Sequence, residues 1–270
     1  MNFVEFLKSL VLGIVEGITE WLPISSTGHM ILVNDFIKND GFTSSDLYLY
    51  VIQLGAILAV VTLYFHKLNP FSPKKTKSEK KYTWQMWFKV IIACLPAAVI
   101  GLPINDYMDK IENWLVVSAM LIIYGIAFIL IERKNKKVCV ENMDDMTYKT
   151  AFLIGLFQVL SIIPGTSRSG ATILGAMILG CSRAVAAEFS FFLAIPVMFG
   201  VSFLKIVTYG SVLSGHDIAV LLTGMIVAYI VSMLAIKFLV EYVKKHDFKV
   251  FGWYRIVLGI VVILYFALTL

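Results

Sequence analysis

Six long apolar segments constrain this chain more than any other feature of its sequence. Each approaches or exceeds the roughly 20 residues that an α-helix needs to cross the hydrocarbon core of a bilayer. They lie at about 47–66, 87–104, 114–131, 184–208, 218–240 and 250–269. Hydrophobic residues make up 59% of the 270 residues and charged residues only 15%, which is far from the composition of water-soluble domains. The sequence therefore predicts an all-α polytopic membrane protein.

Charged residues are sorted by sign among the connections between these segments. The basic connections are 67–89, 132–149 and 241–249, and they contain seven, five and three basic residues. The acidic connections are 34–46, 105–113 and 209–217, and together they contain seven acidic residues and two lysines. The positive-inside rule places the basic group in the cytoplasm. Topology thus accounts for the net charge of +5, and we expect no nucleic-acid partner.

The first polar segment, residues 16–29, interrupts an apolar helix that we predict over residues 3–20. Glu16 and Glu20 share one face of that helix because they are four residues apart. A carboxylate at membrane depth is costly, so both are candidates for function. Their spacing suits a divalent cation (Mg²⁺ or Ca²⁺), the positioning of a water molecule, or the orientation of a histidine. The sequence leaves these three roles open.

Hydroxyl groups and a histidine complete this first segment. Ser25, Ser26 and Thr27 precede a short apolar stretch and suit the capping of a returning helix. A capped helix start presents free amides, which favour phosphate. His29 follows directly and is a candidate for acid–base or nucleophilic work. Ser25 or Ser26, beside a histidine, is an alternative nucleophile.

The second polar segment, residues 164–172, carries an arginine in a glycine-bounded turn between apolar helices. Arg168 is costly there unless an anion compensates it, and its planar fork matches phosphate oxygens. The alternative is a structural ion pair with a glutamate of the first segment. The hydroxyls of neighbouring residues would bind the same anion, and these residues are Ser167, Ser169 and Thr172.

The two polar segments also predict an internal repeat. At an offset of 142 residues, Gly13, Glu16, Ser25 and Gly28 fall on Gly155, Gln158, Ser167 and Gly170. Each half would contain one re-entrant helical hairpin and three spans, an odd number, so the halves would be inverted. We therefore expect one membrane domain, 1–270, made of repeat 1 (about 1–133) and repeat 2 (about 148–270). A basic cytoplasmic linker would join them.

Two motifs in these segments resemble those of the undecaprenyl-diphosphate phosphatase family, also called bacitracin-resistance proteins. They read Glu-Gly-x-Thr-Glu-x-Leu-Pro-x-Ser-Ser-x-Gly-His at 16–29 and Pro-Gly-x-Ser-Arg-Ser-Gly-x-Thr at 164–172. The resemblance implies an enzyme of the bacterial plasma membrane that hydrolyses undecaprenyl diphosphate, recycles the lipid carrier for cell-wall polysaccharides and confers bacitracin resistance. It implies a site open to the extracytoplasmic side. The family's functional residues fall on Glu16, Glu20, Ser25, Ser26, His29, Ser167, Arg168 and Thr172.

Expectations about ligands and alternatives follow from the resemblance and the residues together. The expected partners are a polyprenyl diphosphate substrate and membrane lipids, with a homodimer left open. The expected cofactor is at most a divalent cation at Glu16 and Glu20, with no organic cofactor. The chain departs from the family at Trp21 and Ser161, which we expect to lie away from the chemistry. The alternative function is a transporter or flippase of a prenyl-phosphate lipid.

Overall fold

A computed structural model describes residues 3–134 and 137–269. Lys136 of the basic linker and the outermost ends of the two expected repeats lie outside the described residues. The side chains of Leu102, Asn105, Asp106 and Asp109 are likewise not described.

The chain is helical nearly throughout. The helices, in order, are α1 (Phe3–Thr19), α2 (Ser26–Phe36), α3 (Asp46–Leu63), α4 (Phe65–Leu68), α5 (Lys77–Pro96), α6 (Leu102–Lys110), α7 (Trp114–Arg133), α8 (Tyr148–Val159), α9 (Arg168–Ile178), α10 (Arg183–Thr208), α11 (Gly215–Lys245) and α12 (Lys249–Thr269). A π-helical turn, Ala97–Gly101, continues α5, and single 3-10 turns cover Phe42–Ser44 and Leu160–Ile162. Within the described ranges, extended pairing is limited to one isolated bridge between Val140 and Cys181.

Six of these helices are long and apolar enough to cross a membrane, which confirms a multi-pass all-α membrane protein. They are α3, α5 with its π-helical turn, α7, α10, α11 and α12. Small residues allow some of them to pack closely. A Cβ atom on Gly125 of α7 would lie 2.6 Å from the carbonyl oxygen of Gly252 on α12. The backbones of α7 and α12 therefore approach each other closely at this point.

Helix α5 begins ten residues before the apolar segment that predicted it. Thr76 caps its start, and the side chain of Glu79 accepts hydrogen bonds from the backbone and hydroxyl of Thr76. This capping box satisfies the first free amides, and lysine is a good helix former, so the helix extends beyond its apolar part. The expected connection 105–113 is also mostly helical, because α6 continues to Lys110.

Each polar segment lies where one helix ends and the next begins. Helix α1 ends at Thr19, and residues 20–25 form what we call the first polar turn before α2. Helix α8 ends at Val159, and residues 160–167 form the second polar turn before α9. Helix α2 packs against α1, α7 and α12, whereas α9 packs against α8, α10 and α7. The helices that follow the two turns are therefore held in place by the membrane-spanning helices around them.

Candidate active site

An ion pair joins the two polar turns. Nη2 of Arg168 donates to Oε1 of Glu20 over 3.0 Å, although the two residues are 148 positions apart in the chain. Both side chains are about nine-tenths buried, so their attraction is little screened by water. Nη1 of Arg168 donates to the carbonyl oxygen of Ser190 on α10 over 2.7 Å. The ion pair that the sequence raised as an alternative is therefore present, and it brings the two motifs together.

Trp21 belongs to this ion-pair environment. The guanidinium carbon of Arg168 lies 5.8 Å from the centroid of the fully buried indole ring, which is the range of a cation–π contact. The expectation that Trp21 lies away from the chemistry is therefore wrong, because the residue after Glu20 is folded over the partner of Glu20. Nε of Arg168 and Nε1 of Trp21 are both buried without a hydrogen-bond partner in the described structure.

The two glutamates have different surroundings. Oε2 of Glu20 accepts a hydrogen bond of 3.3 Å from the hydroxyl of Ser26, so both of its oxygens are engaged. Glu16 is one helical turn earlier and 2% exposed, and its Oε1 has no hydrogen-bond partner in the described structure. A buried oxygen without a partner is unfavourable, and a ligand or a water molecule could satisfy it.

Ser25 and Ser167 cap the helices that follow the two turns in the same way. Their hydroxyls accept hydrogen bonds from the amides of Gly28 and Gly170, at 3.4 and 3.2 Å. Both serines have positive φ angles, 73° and 71°, whereas capping residues usually have extended backbone. Such a conformation costs of the order of 1–3 kcal/mol for a residue with a side chain. Contacts around both turns must therefore hold it in place.

Two of the expected phosphate-binding hydroxyls are used inside the protein. Ser169 donates to the carbonyl oxygen of Leu22 over 3.3 Å and so links the two turns. Thr172 bonds to the carbonyl oxygen of Arg168 at 2.9 Å and to the hydroxyl of Ser190 at 2.7 Å. Both side chains are buried because they face α10 and the first turn. By contrast, Ser26, Thr27 and Ser167 are only half-buried.

His29 is held by two groups that the sequence did not suggest. Its Nδ1 lies 2.7 Å from the carbonyl oxygen of Ser25, and its Nε2 lies 2.8 Å from the hydroxyl of Tyr254. The two rings are nearly parallel, with their centroids 5.6 Å apart. Ser25 and Tyr254 thus orient His29, which was one of the three roles left open for the glutamates.

Arg255 is a second buried arginine beside the turns, and sequence reasoning missed it. It is 0% exposed. Its guanidinium donates to Pro23 of the first turn at 3.2 Å and to Gly165 and Thr166 of the second turn at 3.0 Å each. It also donates to the carbonyl oxygens of Met120 and Leu121 on α7. One side chain therefore fastens both turns to the same span.

A sequence signal for Arg255 did exist. It is a basic residue inside an apolar segment, and such a residue is a functional candidate by default. Ser190, which bridges Arg168 and Thr172, gave a weaker signal because serine is common in membrane helices. Tyr254 gave none, since tyrosine in an apolar helix rarely indicates a site.

Glu16 and Glu20 are the residues that the sequence suggested for a divalent cation. Among the residues that the structure describes, no group of three or more His, Cys, Asp or Glu side chains could enclose a metal ion. Glu16 and Glu20 therefore form at most part of such a site. Mg²⁺ is commonly bound by one or two carboxylates together with substrate phosphates, and the unpartnered oxygen of Glu16 fits that arrangement.

The chain is similar to known proteins over nearly its whole length. The chain is 61% identical to an undecaprenyl-diphosphatase of Enterococcus faecalis, with complete coverage of both chains. It is 58% identical to the one of Limosilactobacillus fermentum over 98% of both chains, and 57% identical to the one of Lactococcus lactis over 97% of both. The family model described as bacitracin resistance protein BacA matches residues 9–261. Because that match covers far more than half of the chain, including both polar turns, the chain belongs to the bacitracin resistance protein BacA family.

Proposed function

We propose that this chain hydrolyses undecaprenyl diphosphate to undecaprenyl phosphate and orthophosphate. It would thereby recycle the lipid carrier for cell-wall polysaccharides and confer resistance to bacitracin. The observation that carries the proposal is the contact between Arg168 and Glu20, which puts an anion-binding group beside a proton-accepting group in the interior of the protein. The names of relatives that are 57–61% identical support this choice of substrate.

Arg168 and the two helix starts would bind the diphosphate. Nε of Arg168 has no protein partner and is available to an anion while Nη2 keeps its bond to Glu20. Amides at the starts of α2 and α9 add the positive ends of two helix dipoles. The half-buried hydroxyls of Thr27 and Ser167 would contact phosphate oxygens. Ser25, Ser169 and Thr172 would shape the site through their bonds to the protein.

Ser26 is the nucleophile that the geometry favours. Its hydroxyl already donates to Glu20, so Glu20 can take the proton as Oγ attacks the terminal phosphorus. The new bond joins Oγ to phosphorus, and the bond to the bridging oxygen breaks, so undecaprenyl phosphate leaves. Water then attacks the phosphoserine. Glu20 returns its proton to Oγ. One proton of the water passes to His29, and the other stays on the orthophosphate, which leaves.

A divalent cation is part of the proposal as an auxiliary. Glu16, with Glu20 beside it, would hold Mg²⁺ or Ca²⁺, and the ion would supply neutralisation of phosphate charge. Treatment with EDTA, followed by gel filtration, should then lower phosphate release, and added Mg²⁺ or Ca²⁺ should restore it. Full activity after metal removal would contradict this part alone.

The architecture that we propose for the site is a pair of re-entrant hairpins in an inverted repeat. The matching caps at Ser25 and Ser167, both with positive φ, support the repeat. The site would open to the extracytoplasmic side of the bacterial plasma membrane. Single cysteines at Asp40 and Gly210 should then react with a membrane-impermeant maleimide added to intact cells, whereas one at Lys74 should not. A homodimer also stays a prediction, which native mass spectrometry of the solubilised protein would test.

The central test measures phosphate release from undecaprenyl diphosphate by the purified protein in detergent, where transport cannot contribute. Arg168→Ala should lose nearly all turnover while the protein stays folded. Arg183→Ala is the matched control, because Arg183 also makes an interhelical ion pair, with Glu132, away from the turns. Near-normal turnover in Arg168→Ala would overturn the proposal. Mass analysis of a trapped phosphorylated residue should identify Ser26, and a label on His29 would exclude the serine route.

A further inference from the structure

The bonds of His29 determine which of its nitrogens carries the proton. A carbonyl oxygen can only accept, so Nδ1, 2.7 Å from the Ser25 carbonyl, must be the N–H donor. In the neutral ring Nε2 is then the one basic nitrogen. The hydroxyl of Tyr254 lies 2.8 Å from that nitrogen and donates to it. Protons must therefore reach the basic nitrogen of His29 past Tyr254.

Tyr254 is well placed to hold the ring. Its own ring is nearly parallel to the imidazole, with an interplanar angle of 10°. The next residue, Arg255, fastens the same stretch of α12 to both polar turns. The position of the tyrosine relative to the turns is thereby fixed by its neighbour.

We propose that Tyr254 is a positioning residue for the reaction, which fixes the tautomer and orientation of His29 and conducts protons to its Nε2. The inference rests on the proposed phosphatase function. Towards neutral His29 the hydroxyl donates its hydrogen, and towards the imidazolium its oxygen accepts from Nε2–H. In a transfer, Tyr254 gives its proton to Nε2 while its oxygen takes another proton from a water molecule beside it, so that the proton released by the attacking water reaches His29 through this chain. His29 then changes charge without turning.

The kinetic test compares two tyrosines that join the same pair of helices. Tyr254→Phe removes the bond to His29, whereas Tyr265→Phe removes the 2.6 Å bond between Tyr265 of α12 and Asp35 of α2. We expect Tyr254→Phe to lower kcat for phosphate release by about ten-fold with KM changed little, since one hydrogen bond is lost. Tyr265→Phe should stay near wild type. A kcat that is unchanged or higher in Tyr254→Phe would overturn the proposal.

A double-mutant cycle separates an effect through His29 from a general loss of structure. In a His29→Gln background, Tyr254→Phe should cause no further fall in kcat, because the residue that it serves is absent. An equal fall in both backgrounds would mean that Tyr254 acts on the fold, and the proposal would be wrong.

The third readout needs no measurement of activity. The chain has four histidines, and ¹⁵N-histidine NMR spectra of wild type and His29→Gln would identify the His29 signals by difference. We expect a protonated Nδ1 and a hydrogen-bonded, unprotonated Nε2 in the neutral form, and a shift of the Nε2 signal in Tyr254→Phe. The opposite tautomer in wild type would overturn the proposal even if Tyr254→Phe failed to fold.

Failure of this inference is distinguishable from failure of the function on which it rests. If wild-type protein releases no phosphate, the proposed function fails directly. If wild type is active and Arg168→Ala is not, the function stands, and the Tyr254 variants then decide the inference by themselves.

Discussion

Arg168 uses its terminal nitrogens on two different partners, a carboxylate and a backbone carbonyl, and leaves Nε buried without a hydrogen-bond partner in the described structure. Lysine keeps the charge but cannot reproduce this division, because it is a single point charge without a planar fork. In Arg168→Lys the ion pair with Glu20 can persist while the contact proposed for phosphate is lost. The Arg168→Lys substitution therefore distinguishes the two roles of this residue, which are to join the turns and to bind the substrate.

We predict that Arg168→Lys retains near-normal thermal stability but loses about 100-fold in phosphate release, the size of effect seen when one preorganised donor is removed. Melting temperature and turnover, measured on the same detergent-solubilised sample, check both parts. Turnover within a few-fold of wild type would show that a point charge at this position is sufficient.

A second residue-scale prediction concerns Trp21, whose indole N–H makes no hydrogen bond in the described structure. Phenylalanine keeps an aromatic face for Arg168 and loses no hydrogen bond. We therefore expect Trp21→Phe to keep phosphate release within about three-fold, whereas Trp21→Leu should lower stability by about 1 kcal/mol through loss of the cation–π contact. If stability and phosphate release fall equally in both variants, the contact of Arg168 with the face of the aromatic ring does not explain the role of Trp21.

At the scale of whole elements, the packing of α7 against α12 is the feature on which the site depends. Gly125 allows the two backbones to touch, and an added methyl group would meet the carbonyl oxygen of Gly252 at 2.6 Å. A backbone atom cannot move aside as a flexible side chain can, so the helices would have to separate.

We predict that Gly125→Ala destabilises the protein by about 1–3 kcal/mol. Gly200→Ala is the control, because a Cβ on Gly200 of α10 would meet nothing within 4 Å and alanine favours a helix. Unfolding midpoints in one detergent should fall for the first variant and hold or rise for the second. An unchanged midpoint for Gly125→Ala would mean that the interface tolerates separation.

The elements that sequence predicted well are those defined by hydrophobic length. Each of the six apolar segments corresponds to a helix of sufficient length, although most of the ends differ and the segments 47–66 and 87–104 extend three residues beyond their helices. The ends moved where capping and helix propensity, rather than hydrophobicity, decide the boundary, as at Thr76 and in α6. The positive φ of Ser25 and Ser167 was beyond prediction, because tertiary contacts impose it against the local preference of serine.

The candidate site was predictable to the extent that its residues are clustered in sequence. The two motifs supplied Glu20 and Arg168, and the structure joins them directly. The bonds of Ser190, Tyr254 and Arg255 were not predictable, since their partners are distant in the chain and several are backbone carbonyls. Any residue can present a carbonyl, so the sequence carries no mark of such a contact.

For the molecule as a whole, Arg255 is the side chain on which the relative placement of both turns rests. Arg255→Met removes its bonds to carbonyl oxygens of the two turns and of α7, and each buried acceptor left unsatisfied costs about 1–3 kcal/mol.

We predict that Arg255→Met loses at least about 3 kcal/mol of stability and most phosphate release, while Arg133→Met, at the exposed end of α7, changes neither. Thermal unfolding and turnover of the two purified variants provide the check. A stable, active Arg255→Met protein would mean that the turns keep their positions without the clamp.

The clamp also has a meaning for how the protein is made. Arg255 is translated 232 residues after Pro23, whose carbonyl it binds. A growing chain must therefore carry both polar turns through the insertion machinery before the group that fastens them exists. A nascent chain that stops after α11 would contain both family motifs and still lack an assembled site. Catalytic competence would thus appear only once the last span has been inserted, so that incomplete chains already in the bilayer would not act on the lipid carrier.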